Sequence, residues 1–586
     1  FGRIPYQFDR GVLSLLDSSG KMPSGILNGN INQYGDFDQC LNIHIKHDSK
    51  LYPEMKNQLI GKYCLALLDV DLRNSNRKTL KHLDDLIFSY RHISGTVNDT
   101  GHRISRFTTI NWGFCIPSSC TAQDLSDSLI NNLKTKLMDT GINFKIKVNP
   151  NMCYIKDYLP ISIETKLTII FFVSLLALVI IGTWIDKKQR SVFKGKILSI
   201  LKAFSLQKNV KTLLCKDKST DDIPYLHGIR ALNALALVIF HKSAALAFRP
   251  FINRTSMIES HAMSWSVIGR TAIIYTDTFI LLSGLLTSYS ILRELDRKRK
   301  INIWKKYLMR YIRFTPNMLA IILFCTYIMI HLGSGPQWNL VVKHHSDMCQ
   351  ENMWKNFLYI HNYYGFEKMC LTHTHQLAID MQLYIIAPIF IYLLWRNRQL
   401  GLILTVAIIL LSTILRFVVT YNKNLSTVIF FGAKVSQLFD TANLSYTLPT
   451  HRVSVYLIGI LVGYMLQQKN TSITLNKVET LLGWSIAILL ALISMCGPYH
   501  MSFPDYKYNP THAALYNALS PITWGSFISL GIFLGSNGYA EFLSWRGFKV
   551  FSQISYAVYL TQFPIFFYNV GIQRAPIYYT PSLLYR

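Results

Sequence analysis

The stretch LTIIFFVSLLALVIIGTW, residues 167–184, holds no charged side chain over its eighteen positions. An α-helix rises about 1.5 Å per residue, so about 20 apolar residues cross the hydrocarbon core of a bilayer. Lys187, Lys188 and Arg190 follow the stretch, and basic residues flank membrane spans on the cytoplasmic side. The stretch therefore predicts a first membrane span that leaves the preceding residues in the lumen or outside the cell.

Nine further apolar runs predict that the rest of the chain crosses the membrane repeatedly. We expect these spans near residues 228–248, 269–291, 315–333, 377–395, 400–420, 453–467, 480–497, 513–534 and 554–573. The predicted fold is an all-α polytopic membrane bundle of about ten transmembrane helices, carrying a disulfide-containing exterior domain. Ten spans that start outside also end outside, so we expect a further span and a cytoplasmic tail beyond Arg586.

Three segments follow from this pattern: an exterior domain over residues 1–160, the first span with a basic linker over 161–225, and a multi-pass domain over 226–586. Half of the ten cysteines lie in the exterior domain, where an oxidising compartment favours disulfides. These are Cys40, Cys64, Cys115, Cys120 and Cys153. Their number is odd, so one is free or pairs elsewhere. Cys349 and Cys370 share one predicted exterior loop and are expected to pair.

The net charge of +28 is concentrated beside the predicted spans. Residues 186–224 hold ten Lys and Arg against four acidic residues, and residues 293–313 hold nine against two. Both segments fit cytoplasmic flanks facing membrane lipids. No nucleic-acid-binding motif accompanies the charge, so a nucleic-acid partner is not expected.

Glycosylation sequons give a second indication of topology. Four of them lie on segments that the charge pattern places outside: Asn98, Asn253, Asn424 and Asn443. A fifth, at Asn470, falls on the predicted cytoplasmic side and would be unused. The expected location is the endoplasmic reticulum or the plasma membrane, with the N-terminal domain luminal or extracellular.

The second predicted span, GIRALNALALVIFHK over residues 228–242, contains Arg230 and His241. Eleven residues of α-helix turn through about three full turns and rise about 16 Å, so the two side chains share one helix face. Ionisable residues inside a membrane are costly and usually mark a functional site. The alternative is an arginine that snorkels to the interface and a structural, hydrogen-bonded histidine.

Several motifs, in order along the chain, resemble one family. YLHGIRALNALALVIFHK (225–242), TDTFILLSGLL (276–286), YLMRYIRFTP (307–316) and HQLAIDMQLYIIAP (375–388) resemble helices of the acyltransferase-3 superfamily.

The N-terminal motifs narrow the resemblance to one branch. DSSGKMPSGILNGNINQYGDFDQCL (17–41), GKYCLALL (61–68) and CIPSSC (115–120) resemble the exterior domain of its animal "nose resistant to fluoxetine" branch.

The resemblance implies transfer of an acyl group from cytoplasmic acyl-CoA to a luminal, extracellular or lipid acceptor, with no tightly bound cofactor. Arg230, Arg310 and Arg313 are suited to contact the phosphates of the donor, although basic flanks alone would also explain them. His241 is suited to act as general base or to carry the acyl group. Asp277 is expected either to orient His241 or to pair with a buried arginine.

On the opposite side, His373 and Asp380 are the predicted acceptor-side residues. Five histidines on this side invite a metal interpretation: His344, His345, His361, His373 and His375. No HxxxH or CxxC spacing supports it, so no metal site is predicted.

The chain also departs from the family pattern. His375 and Gln376 replace a common Trp-Tyr pair, Gln562 replaces a histidine, and Pro521 stands where an arginine is common. These departures keep a second function open, namely a non-catalytic transport or binding protein for lipids or lipophilic drugs.

Overall fold

The protein consists of an N-terminal domain and a bundle of long helices. The computed structural model describes residues 13–21, 24–45, 59–72, 78–137, 142–156, 160–188, 195–214, 223–468 and 475–584. The prediction at Asn470 falls outside these residues.

A five-stranded sheet forms the centre of the N-terminal domain. Its strands are β1 (Asn32–Gln33), β2 (His44–Ile45), β3 (Leu59–Asp71), β5 (Thr109–Pro117) and β6 (Asn143–Ile155). The long strand β3 pairs antiparallel with β5 on one edge and with β6 on the other, and β1 runs parallel to β5. The shorter β4 (Ile93–Ser94) pairs instead with β7 (Ala433–Lys434) in the C-terminal part of the chain. This sheet was not predicted from the sequence.

Short helices complete this domain and the linker that follows it. They span Phe37–Leu41, Lys78–Ile87, Ala122–Leu137, Lys196–Ala203 and Leu206–Leu214.

Two disulfides hold the N-terminal domain together, and a third lies in the helical part. Cys40 bonds to Cys115 and Cys64 to Cys153. Each closes a long loop, which stabilises a domain by about 2–4 kcal/mol. The third joins Cys349 to Cys370. Cys120 was also proposed as a disulfide cysteine, but it has no disulfide partner in the described part of the chain. Its neighbour in the motif, Cys115, is already bonded to Cys40.

Ten long helices alternate in direction. They are α1 (Ile163–Lys188), α2 (Pro224–Leu246), α3 (Tyr275–Lys298), α4 (Ile303–Leu323), α5 (His375–Arg396), α6 (Arg398–Asn422), α7 (Pro449–Gln468), α8 (Lys477–Cys496), α9 (Pro510–Ser536) and α10 (Arg546–Gly571). The mostly helical membrane fold is thus confirmed. Eight of these helices are long and apolar enough to cross a membrane, and α7 and α10 do not meet both criteria. The predicted number of ten is therefore approximate.

Shorter helices connect the long ones on one side of the bundle. They span Arg254–Ala262, Val267–Arg270, His344–Phe357 and Val435–Thr441.

The bundle has two distinct ends. At one, which we call the domain end, loops of the bundle bind the N-terminal domain: Arg254 donates to the Phe107 carbonyl (2.9 Å) and Gln337 to the Tyr34 hydroxyl (2.6 Å). The opposite, basic end includes the basic run 297–300, which covers the end of α3 and the start of the turn to α4. Helices α2, α4, α6, α8 and α10 run toward the domain end, and the others run away from it.

Helices α3 and α7 pack with their backbones unusually close. A Cβ added at Gly459 of α7 would lie 2.1 Å from the Leu281 carbonyl oxygen, and one at Gly284 of α3 would lie 2.3 Å from the Tyr456 carbonyl oxygen. Small residues at these positions permit close packing of membrane helices. This contact fixes α7 against α3 and brings Arg452 to Asp277.

Candidate active site

A cavity of about 640 Å³ lies inside the bundle, between α2, α3, α4, α5 and α10. Its volume falls in the usual range for small-molecule pockets, about 300–1,000 Å³. Its walls combine aliphatic and aromatic side chains with a few polar ones, among them Thr276, Gln376 and Gln562.

One face of α2 forms a wall of this cavity. Arg230, Ala234 and Leu237 line it, at spacings of four and three residues. His241 follows four residues later on the same face. Arg230 stands toward the basic end, since α2 begins there at Pro224. The shared face predicted from the spacing of Arg230 and His241 is therefore present.

His241 lies beside the inner end of the cavity, against α10. Its ring centroid is 4.6 Å from that of Phe563, and its side chain lies against Gln562. The Nδ1 atom of His241 is buried and has no hydrogen-bond partner among the described residues. Gln562 donates to the Tyr559 carbonyl (3.1 Å), and its own Oε1 also lacks a partner in the described chain. The residue that departs from the family pattern thus contacts the central histidine.

His373 lies close to His241. Its ring stacks on Phe563 with centroids 4.7 Å apart and planes 7° apart, so both histidines contact the same phenyl ring. The Tyr559 hydroxyl donates to the backbone carbonyl of His373. The sequence predicts His373 on the acceptor side but does not predict this contact, because the contact requires α10 to pack beside the start of α5.

Asp277 does not contact His241. It forms an ion pair with Arg452, and the side chains of the two residues are 0% and 5% exposed. Arg452 also donates to the Tyr446 carbonyl (3.1 Å). The pair lines a second, small polar cavity of about 20 Å³ together with Arg416. Of the two roles expected for Asp277, the structure contains the pair with a buried arginine, and its assignment as a catalytic partner of His241 is corrected accordingly.

The three predicted donor-site arginines line the main cavity. Arg310 forms an ion pair with Asp380, donates to the Ser283 hydroxyl (2.8 Å) and lies 4.0 Å from the Tyr384 ring centroid. Arg310 therefore neutralises a carboxylate inside the bundle and is unsuited to bind a phosphate at the basic end. Asp380, predicted to lie on the acceptor side, pairs with Arg310 and also lines the main cavity.

Two other cations lie at the wall of the cavity toward the basic end. Arg313 is exposed, and Lys306 pairs with Glu294 (2.8 Å). Arg230 and Arg313 bring positive charge to this part of the cavity, whereas Glu294 neutralises Lys306. Phosphate groups are bound by such clusters of cations.

Two of the remaining histidines, His345 and His361, approach a backbone carbonyl and a hydroxyl group at the domain end. His345 Nε2 lies 3.2 Å from the His102 carbonyl, and His361 Nε2 lies 3.1 Å from the Thr374 hydroxyl. Burial lowers the pKa of His361 to about 4. No group of three or more potential ligands is arranged to hold a metal within the described ranges.

Two residues of the N-terminal domain at this junction were not predicted from the sequence. His102 Nε2 lies 3.0 Å from the Glu367 carbonyl, and Arg103 donates to the Met369 carbonyl and to the Thr372 hydroxyl (3.3 Å). They come from a loop without a recognisable motif, so no signal in the sequence pointed to them.

The sequons differ in accessibility. Asn98 and Asn424 are exposed. Asn253 is 4% exposed, donates to the Tyr579 carbonyl (3.1 Å) and accepts from the Tyr579 backbone N–H (2.7 Å). Asn443 is half-buried and donates to Glu367 (3.1 Å). A glycan on Asn253 is incompatible with this packing, so its assignment as a glycosylation site is corrected.

Two of the other departures from the family pattern, Gln376 and Pro521, line cavities. Gln376 lines the main cavity and donates to the Thr276 carbonyl (3.3 Å). His375 Nδ1 lies 2.7 Å from the Thr372 carbonyl. Pro521 lines the small cavity beside Arg416 and Arg452.

Comparisons with known proteins agree with this architecture. Residues 6–129 match the family described as nose resistant-to-fluoxetine protein, N-terminal domain, and residues 223–584 match the family described as acyltransferase domain. Nose resistant to fluoxetine protein 6 of Caenorhabditis elegans is 24% identical over 97% of this chain and 74% of its own length.

Two further relatives match a smaller part of the chain. Regulator of hypoxia-inducible factor 1 of the same worm is 25% identical over 63% of this chain and 75% of its own length. O-acetyltransferase OatA of Staphylococcus aureus is 23% identical over 58% of this chain and 50% of its own length. No solved structure matches significantly.

Proposed function

Since this chain belongs to the acyltransferase family, in the branch that carries the nose resistant-to-fluoxetine N-terminal domain, we propose that it moves an acyl group from cytoplasmic acyl-CoA to an acceptor. The acceptor is a lipid or a luminal or extracellular molecule. The observation that carries the proposal is the α2 face that runs from Arg230, through the cavity wall, to His241. The similarity to an O-acetyltransferase of Staphylococcus aureus supports transfer to oxygen.

The donor enters at the basic end. Its phosphates contact Arg230 and Arg313, which line the cavity there. Arg310 does not contact the phosphates, because Asp380 already neutralises its charge. The rise from Arg230 to His241 is about 16 Å, a length suited to the pantetheine arm that carries the thioester inward.

His241 performs the chemistry at the inner end. As general base, its unprotonated ring accepts the proton of the acceptor hydroxyl while that oxygen bonds to the thioester carbonyl carbon. The carbon–sulfur bond then breaks, and His241 returns the proton to the sulfur, which leaves an ester and free CoA. In the alternative route, His241 first takes the acyl group itself and then passes it to the hydroxyl. Both routes release one CoA for each acyl group transferred.

Donor binding tests the first half of this proposal. Full-length protein in lipid nanodiscs is titrated with radiolabelled acyl-CoA. Arg230→Gln and Arg313→Gln should each weaken binding by about tenfold, since a hydrogen bond to a charged group contributes about 1.5–3 kcal/mol, less where water screens it. Arg396→Gln is the matched control, because Arg396 is an exposed arginine at the basic end that does not line the cavity.

A second candidate function is non-catalytic binding or transport of a lipid or lipophilic drug. It is favoured by one observation: His241 Nδ1 has no partner within the described residues, and its neighbour is the neutral Gln562. Undetectable acyl-CoA binding to the wild-type protein, together with saturable binding of a lipid in the cavity, would favour this function over acyl transfer.

A further inference from the structure

A separate cavity lies where the N-terminal domain meets the bundle, beside Phe563. Its volume is about 30 Å³, and Arg103, His345, Thr372, His373 and Phe563 are among its lining residues. A cavity of this size admits one or two small polar atoms such as the oxygens of a ligand or water. Phe563 also contacts His241, so this junction pocket adjoins the proposed reaction centre.

Arg103 brings a positive charge into the pocket from the N-terminal domain. It donates to the Met369 carbonyl and the Thr372 hydroxyl, while its Nε is buried without a partner in the described chain. The Glu367 carboxylate acts on this charge from nearby, but the direct hydrogen bonds of Arg103 go to the Met369 carbonyl and the Thr372 hydroxyl. Burial lowers the pKa of Arg103 to about 9, so the side chain still carries its charge at neutral pH.

His373 supplies an unsatisfied polar group to the same pocket. The residue is 4% exposed, and neither ring nitrogen reaches a partner with hydrogen-bonding geometry among the residues described, although the Leu560 backbone lies close to the ring. Buried polar atoms are rarely left unpaired, because each lost hydrogen bond is costly. A buried cation beside an unpartnered imidazole is suited to an anionic oxygen.

We propose that Arg103 and His373 bind an anionic oxygen of the acyl acceptor, a carboxylate or a phosphate, and that the N-terminal domain thereby completes the acceptor side of the site. This inference rests on the proposed function. The acceptor's hydroxyl reaches His241. Its anionic group lies beside His373, which stacks on the same Phe563 ring that His241 contacts. The acceptor is then an amphipathic or polar molecule that carries both a hydroxyl and a negative charge.

Anion binding is measured first, without any turnover. Full-length protein in detergent is heated in increasing inorganic phosphate or acetate, with chloride at matched ionic strength as reference. The wild type should gain about 1–3 °C in apparent unfolding temperature near saturation, and Arg103→Gln should gain nothing beyond the chloride reference. Arg103→Lys, which keeps the charge, should retain part of the gain.

Arg106→Gln is the matched control for these variants. Arg106 lies in the same loop but donates to carbonyls of its own domain, including that of Asp99 (3.0 Å). It should show the wild-type gain. Equal rises in unfolding temperature in the wild type and Arg103→Gln would overturn the proposal. It would also be overturned if Arg106→Gln lost the rise as completely as Arg103→Gln.

Transfer is measured second, with glycerol 3-phosphate and glycerol as a pair of probes that differ by the anionic group. Arg103→Gln should raise KM for glycerol 3-phosphate about ten- to hundredfold, with KM for glycerol and acyl-CoA binding unchanged. A parallel change for both probes would refute an anion-specific role. If phosphate raises the unfolding temperature of the wild type but no acyl-CoA binding is detected, the anion pocket is supported and the proposed acyl transfer is contradicted.

Discussion

The ion pair between Asp277 and Arg452 allows a sharp test of how the bundle is held together. Asp277→Asn keeps the size of the side chain but removes its charge, which leaves Arg452 and the fully buried Arg416 without the carboxylate they share. Breaking a buried pair by removing one partner costs about 3–5 kcal/mol. For a chain of this length that corresponds to a fall of about 2–4 °C in apparent unfolding temperature.

The assay is the fraction of monodisperse protein that survives stepwise heating in detergent. Asp296→Asn is the control on the same helix, because Asp296 is exposed and its contacts are Trp395 and Gln467. It should cost about 0–1 kcal/mol. If Asp277→Asn is as stable as Asp296→Asn, the pair does not hold α3 against α7.

The same variant separates the two roles that the sequence left open for Asp277. Because Asp277 bonds to Arg452 and not to His241, folded Asp277→Asn protein should keep its activity per molecule. A well-folded variant that binds acyl-CoA but transfers no acyl group would show that Asp277 orients His241 after all.

Three further outcomes are expected at the domain end. Burial lowers the pKa of His102 to about 3 and that of His345 well below its usual value. Only the unfolded chain therefore takes up these protons as pH falls below about 6.5, and the free energy of unfolding should drop by on the order of 1 kcal/mol per pH unit for each histidine. His102→Gln should reduce the drop measured between pH 7.5 and 5.5. Glycosidase treatment should change the gel mobility of the wild type more than that of Asn424→Gln, whereas Asn253→Gln should behave as the wild type. A glycan mapped to Asn253 would contradict the buried packing of that side chain. A maleimide reagent should label native protein at Cys120, and a Cys120-containing disulfide peptide under non-reducing mass spectrometry would contradict the pairing seen here.

The sequence predicted those features that depend on local pattern. The span at residues 167–184 lies inside α1, and each of the other nine predicted spans overlaps a long helix. The common face of Arg230 and His241 follows from helix geometry alone, since eleven residues make three turns. These predictions needed no knowledge of which helix packs on which.

Features that depend on packing between distant segments could not be predicted. Asp277 and Arg452 are 175 residues apart in the chain, and Arg103 meets Thr372 across 269 residues. The strand β3 was missed because a short apolar run buried on both faces has no periodicity that separates it from a helix. The pairing of Cys40 with Cys115 was likewise open, since spacing does not determine disulfide connectivity.

The role of His241 is the central claim, and single-turnover acyl transfer by His241→Ala tests it most directly. Purified full-length variant is mixed with radiolabelled acyl-CoA and glycerol 3-phosphate in nanodiscs, and the acylated product and released CoA are counted. Loss of a general base should lower the rate about 10²–10⁴-fold, with acyl-CoA binding unchanged. His331→Ala, at an exposed histidine beyond α4, should keep the wild-type rate. Full acyl-CoA-dependent activity in His241→Ala would contradict the account.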